Sequence, residues 1–286
     1  MRRPNGFTLV ELLVVVGIIG MLASMLVPSI RMAIALTEAN VCMGRLKGVG
    51  TALQIYRQQN DHRWPWIDHV TSDWSKTPTG TNRDKALPPE KADPGPRALT
   101  ALLFLLVRDG HPAGLFVCPA DAEAAEDTDT RWDHDGDADT PMDYYRDFAG
   151  AANVSFSLQA PVKKGDRYVS GLSDTDSAAV LVADKSPAAD DPSWRPVALT
   201  ADAPRGVLRE SLTRNHPMIG AVNVLRAGLD VMQAKRPDIG IDHDHIYTAS
   251  GRPQVGAREG TSLDLSQHLS VRDSFLLGPV RDANQP

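Results

Sequence analysis

"GFTLVELLVVVGIIGMLASMLVPSI", residues Gly6 to Ile30, is greasy enough to cross a membrane yet carries a carboxylate, Glu11, near its start. From Phe7 to Ile30 that glutamate is the sole charge. A charge near mid-bilayer costs a few kcal/mol on insertion scales. A chain that keeps one there needs a partner or a use for it. The run matches the ~20 apolar residues that a membrane-spanning helix requires. Arg2 and Arg3 stand ahead of it. Cations in that position hold the N-terminus in the cytoplasm and send the body across. A signal peptide would be cut after the apolar core, where Ala23-Ser24 would serve. A plain signal anchor is the other ordinary reading.

Behind this start the composition is that of a soluble body. The chain has 286 residues and a net charge of -6, with room for one or two domains after the helix. An acidic protein repels phosphate unless it carries a basic patch. The lysines and arginines form nothing beyond short pairs such as Lys163-Lys164, so nucleic acid is not an expected partner. Two cysteines, Cys42 and Cys118, are enough for one bridge in an oxidising compartment.

Gly6-Phe7-Thr8-Leu9-Val10-Glu11 closely resembles the recognition sequence of type IV prepilins and type II secretion pseudopilins. The resemblance implies a prepilin leader at 1–6, cleavage by a membrane prepilin peptidase between Gly6 and Phe7, and methylation of the new N-terminus at Phe7. Residues 7–30 would be the transmembrane and polymerisation helix, with Pro28 where such helices often bend. It also gives Glu11 a use. In a filament, subunit helices pack in an apolar core, and the α-amino group of a neighbouring mature Phe7 can neutralise Glu11. At 4 Å and an effective dielectric of about 20 such a pair attracts by roughly 4 kcal/mol before desolvation. An unpaired partner is strongly penalised. Glu11 would therefore be an assembly residue that favours one axial register.

Beyond Pro28 the helix should continue as an amphipathic segment over 31–66. Cys42, Leu46, Val49, Leu53 and Tyr56 recur at helical spacing, with Arg45, Lys47, Gln54, Arg57 and Gln58 mostly off the stripe. Gly44, Gly48 and Gly50 each weaken a helix by roughly 1 kcal/mol relative to alanine, which suits either close packing or a local break. Cys42 to Trp66 resembles the "C-x-x-N-L…G-x-A…Y…P" signature of pilin-like families abundant in planctomycete-type bacteria, with Arg45 where that family has asparagine. "GLFVCPAD", Gly114 to Asp121, is similar to a second segment of those families. Asn215-His216 and Asn223-Val224-Leu225 are similar to a third, whose Asp-Gly-His core is lost here, with Ala227, Gly228, Leu229 and Asp230 standing instead.

Residues 67–286 are expected to form an extracytoplasmic α+β body, with polar loops at 71–97 and 120–143. A short helix is expected at Ala98 to Val107, and strands at Asn153–Gln159, Ala178–Ala183 and Val222–Leu225. The whole reads as one long N-terminal helix packed on a small antiparallel β-sheet with long loops, which is also the pilin-like arrangement. A Cys42–Cys118 disulfide is expected, since Cys42 lies on the buried stripe and Cys118 in a segment that packs on it; the alternative is two separately buried thiols.

Asp133, Asp135, Asp137 and Asp139 alternate around Gly136, with Asp143 beyond. Oxygen ligands at every second position about a glycine suit Ca²⁺, and the loop departs from the EF-hand because Arg131 falls at the first ligand position. The other reading is a solvated acidic loop. Asp242 to His245, "DHDH", offers two histidines on one strand face but no third metal ligand by spacing. Asp184 ends a strand, where a lone Asp is usually a turn former. Ser170-Gly171 and Ser250-Gly251 are not nucleophile elbows, and no phosphate loop or dinucleotide fingerprint is present.

The function expected is structural, with no required cofactor and Ca²⁺ as the candidate ion: a single-pass inner-membrane subunit of a type IV pilus-like or type II secretion pseudopilus filament. Its partners would be the prepilin peptidase, other pilin or pseudopilin subunits, and an inner-membrane assembly platform. The alternative is a membrane-anchored exported enzyme or carbohydrate-binding protein that uses the helix only as an anchor.

Overall fold

A computed structural model describes residues 8–65, 100–122, 124, 148, 151–160, 162–164, 167–173, 176–187, 212–213, 215–241, 246–247 and 276–277. Helix α1 spans Leu9–Gln59, 51 residues without interruption. At 1.5 Å per residue it is roughly 76 Å long. Thr8 caps its start. The Thr8 hydroxyl accepts from the Glu11 backbone N–H at 3.2 Å, and the Glu11 carboxylate accepts from the Thr8 N–H at 2.8 Å. This reciprocal capping box satisfies donors that a helix start otherwise leaves open.

The helix is continuous across Pro28 and the three glycines. It ends at Gln59, seven residues before the 66 expected. Asn60 turns its N–H back onto the carbonyls of Tyr56 and Arg57, and Asp61 and His62 then adopt positive φ of 51° and 61°. Helical geometry cannot continue through such residues. Of the two readings of the glycines, close packing holds at two. A Cβ on Gly50 would lie 2.9 Å from Leu225 Cδ1, and one on Gly48 would press on Leu115, whereas Gly44 faces nothing within 4 Å.

Helix α2, Thr100–Arg108, is stopped by Gly110 at φ 95°, whose N–H bonds Val107 while that of His111 bonds Leu106. That is a glycine-terminated helix end, with the last carbonyls satisfied by the reversed chain. A 3₁₀ turn at Ala113–Phe116 then delivers Cys118 to α1.

The strands are β1 (Phe156–Gln159), β2 (Val162–Lys164), β3 (Arg167–Val169), β4 (Val180–Asp184), β5 (Val222–Arg226), β6 (Val231–Ala234) and β7 (Leu276–Leu277). Five form an antiparallel sheet in the order β6-β5-β4-β1-β7, and β2 pairs with β3 as a separate hairpin. Three strands begin or end near their expected places. β1 starts at Phe156 rather than Asn153 because the Ser155 N–H is taken by the Phe116 carbonyl. β4 starts at Val180 because Asp176 forms a side-chain turn, accepting from the Ala178 N–H at 2.9 Å. β2, β3, β6 and β7 were not anticipated.

Alternation divides the sheet into two faces. Phe156, Leu158, Leu181 and Leu225 join Cys42, Leu46, Val49, Ala52 and Leu53 of α1, together with Leu102, Leu103 and Leu106 of α2 and Phe148, in the larger core. Val180, Ala183, Val222 and Val224 pack on the other side against Leu212, Ile246, Tyr247 and Leu276. Both sheet faces are therefore covered. The stretch from Ala227 to Asp230 is the β5–β6 turn. Leu229 sits there at φ 64°, and Arg226 pairs with Asp230 across it.

Candidate functional site

Two features of α1 concern function. The first is its N-terminal half. From Leu9 (78% exposed) to Leu36 (44% exposed) the large apolar side chains lie open, and the most apolar stretch buries nothing against the body. Monomeric soluble proteins rarely expose more than a few hundred Å² of contiguous apolar surface. This surface needs lipid or another protein. Among the described residues it belongs to the one helix long and apolar enough to cross a membrane. Glu11 stands at its third helical position, and within the single chain its carboxylate is held by the Thr8 hydroxyl at 2.7 Å as well as by the Thr8 N–H.

The second feature is where α1 docks. Cys42 and Cys118 are bonded, with Cα atoms 5.3 Å apart. Arg45 donates from Nη1 to the Val117 carbonyl and so fastens the same loop. Lys185 Nζ reaches the Asp121 carboxylate at 2.8 Å, with both side chains almost fully buried. Such a pair is held in place because removing either partner leaves a buried charge exposed to a low dielectric.

Beside the bridge lies a buried polar cluster that sequence reasoning missed. Asp184 is wholly buried and is no turn former. Its Oδ2 accepts from the Asn223 backbone N–H at 2.7 Å and lies 3.4 Å from His216 Nε2. Asn223 Nδ2 is 3.1 Å from the same His216 nitrogen and 3.5 Å from the Ala39 carbonyl of α1. Cys118 Sγ is 3.7 Å from that nitrogen as well. Tyr247 donates to the Asp184 carbonyl at 2.9 Å. Burial, and secondarily the Asp184 carboxylate, push its phenol well above the ordinary 10.0. The available signal was the cluster of motif residues Asn215-His216 and Asn223, but their partner Asp184 is remote in sequence and carries no motif of its own.

The remaining sequence candidates fall elsewhere. Gly6 and Phe7, Asp133, Asp135, Asp137, Asp139 and Asp143, and the Asp242–His245 stretch lie outside the described residues. Nothing structural is drawn for them.

A long helix, apolar and open at its N-terminal half, and docked through its C-terminal half on an antiparallel sheet, defines a pilin-like α+β protein. Residues 1–27 match the prokaryotic N-terminal methylation motif. The chain is 33% identical over 84 residues to the type II secretion system core protein G of Pseudomonas aeruginosa. That alignment covers 29% of this chain and 58% of the relative. No solved structure matches. The motif and the relative support the pilin and pseudopilin family for this chain.

Proposed function

We propose that this protein is a structural filament subunit of the type II secretion pseudopilus or type IV pilus kind, made as a prepilin. The observation that carries this reading is the N-terminal half of α1, apolar all round and unburied by its own body, headed by Glu11 inside a matched methylation motif. A prepilin peptidase would cut between Gly6 and Phe7. Phe7 would then be methylated, and an inner-membrane assembly platform would receive the subunit with its body extracytoplasmic. Between subunits, the α-amino group of mature Phe7 would meet the neighbour's Glu11. The capping box is compatible with this, since a carboxylate has about four acceptor sites.

The mass of the mature N-terminus tests the processing step. Loss of residues 1–6 with one methyl on Phe7 is the expected result, and an intact leader or a cut after Ala23 would refute it. Assembly is tested by Glu11→Ala, which should leave membrane insertion intact and remove the protein from sheared filaments. Normal incorporation would refute the pairing. Asp133, Asp135, Asp137 and Asp139, with Asp143 or a backbone carbonyl, would curl about Gly136 to take Ca²⁺, which turns their mutual repulsion into coordination. Calorimetry should show calcium binding that Asp135→Ala and Asp137→Ala each weaken.

A further inference from the structure

The open surface of α1 is longer than a bilayer can cover. Residues 9–30, at 1.5 Å each, run for roughly 33 Å, against ~30 Å of hydrocarbon in a typical membrane. Arg31, the first charge after Glu11, therefore stands at the water-side boundary. Met32, Ile34 and Leu36 follow it and are 44%, 52% and 44% exposed. The body covers none of the three, because the buried residues of α1 begin at Ala39. Lipid serves the helix up to Arg31, so the apolar side chains beyond it call for protein.

Opposite charges bracket this collar. Arg31 precedes it, Glu38 closes it, and residues 32–37 between them carry no charge. Arg31 is exposed and Glu38 half-buried, and neither has a hydrogen-bond or ion-pair partner among the described residues. Seven residues make two turns less about 20°, so both stand on one side of α1, about 10.5 Å apart along its axis. Two copies side by side in register would set Arg31 against Arg31 and Glu38 against Glu38, and like charges across a contact repel. A copy displaced outward by seven residues instead brings its Arg31 level with the first copy's Glu38. Arg45, the next cation along α1, is taken up by the Val117 carbonyl, which leaves Arg31 as the unpartnered match for Glu38.

We propose that Arg31 and Glu38 pair between neighbouring copies of this chain and fix a stagger of seven residues, about 10.5 Å, between them. This pairing rests on the filament reading above and adds a second register contact, on the water side of the membrane. Both copies enter from the same membrane face, so their helices run parallel and an antiparallel match of the same charges is closed to them. The direction of displacement agrees with the Glu11 pairing. The displaced copy's mature Phe7 comes level with the first copy's Glu11 at four residues, about 6 Å. The difference between the two staggers, about 4.5 Å, lies within the sweep of the long arginine stem. Met32, Ile34 and Leu36, packed against the neighbour, keep water from the ion pair and so strengthen it.

The test uses the full chain in the cells that make it, read in sheared filaments and in isolated membranes. Arg31→Glu and Glu38→Arg should each lower the amount in filaments by about tenfold or more, because each sets like charges level across the contact. The double reversal remakes the pair and should return it to within about twofold of the wild type. Thermal unfolding of the body should be the same in all of them, since both positions lie outside the core. A second arm uses Arg31→Cys/Glu38→Cys. Its new cysteines are too far apart to bridge within one helix, because a disulfide needs Cα atoms within ~7 Å. Mild oxidation should therefore link copies into a ladder beyond the dimer, and each single cysteine variant should stay unlinked. Wild-type filaments with no ladder, or single reversals that incorporate normally, overturn the pair and leave the filament reading standing. A dimer from Arg31→Cys alone overturns the stagger. Absence of the wild type from sheared filaments overturns the filament reading, and the pair falls with it.

Discussion

The two halves of α1 share one unbroken backbone and are specified in opposite ways. From Leu9 to Leu36 nearly every side chain is apolar and exposed, and the glycines Gly17 and Gly20 face open space. From Ala39 to Leu53 the apolar residues recur at helical spacing, the stripe is buried, and Gly50 packs closely against Leu225. The first half is a helix because any apolar environment forces its backbone to bond internally. The second is a helix because one face meets a sheet. The body's stability should therefore depend on the second half and ignore the first.

The largest effect should come from the point where the halves meet. Replacing both Cys42 and Cys118 by serine opens a link of sequence separation 76, which in the chain-entropy model costs about 4 kcal/mol. Thermal unfolding in detergent should show the loss, and an unchanged transition would mean that the packed stripe alone suffices. Next, Leu46→Ala should cost about 3 kcal/mol, as for other fully buried leucines, while Leu13→Ala should leave unfolding of the body where it was. Equal effects from the two would abolish the distinction between the halves.

A smaller effect concerns pH. Tyr247 holds its proton more tightly folded than unfolded, so its contribution is fully present below about pH 10 and is lost as pH rises through the folded value. Tyr247→Phe should flatten that alkaline decline and cost about 1 kcal/mol at neutral pH through the lost bond to Asp184. The smallest contrast is between glycines. Gly17→Ala should be silent in the body's unfolding. Gly50→Ala should shift it by no more than about 1 kcal/mol, since its gain in helix propensity opposes the push on the flexible end of Leu225.

How much was legible follows the same division. The first half is legible because its signal is local: a glycine-aromatic junction, a lone glutamate and an apolar run. The Cys42–Leu46–Val49–Leu53 stripe was equally plain, since helical spacing is a local property. The sheet was partly legible. β1, β4 and β5 are apolar runs, but β6 ("VMQA") and β7 ("LL") exist only because a neighbouring strand offers them hydrogen bonds. The buried cluster was hidden for a stronger reason. Asp184 looks like a strand-ending turn residue until β5 is placed beside β4, which brings the Asn223 N–H and His216 onto its carboxylate. A one-dimensional pattern does not contain that juxtaposition.

The position of the disulfide has a mechanical consequence. In a chain whose leading half is embedded in an assembly, pulling force travels down α1 and reaches the body within its first docked turns, at Ala39 and Cys42. Without a covalent link there, tension would peel the helix from the sheet one contact at a time. With Cys42 bonded to Cys118, and Arg45 tied to Val117 one turn further on, the load passes into the body as a whole. The weak point under strain then lies ahead of Cys42, along the undocked part of the rod.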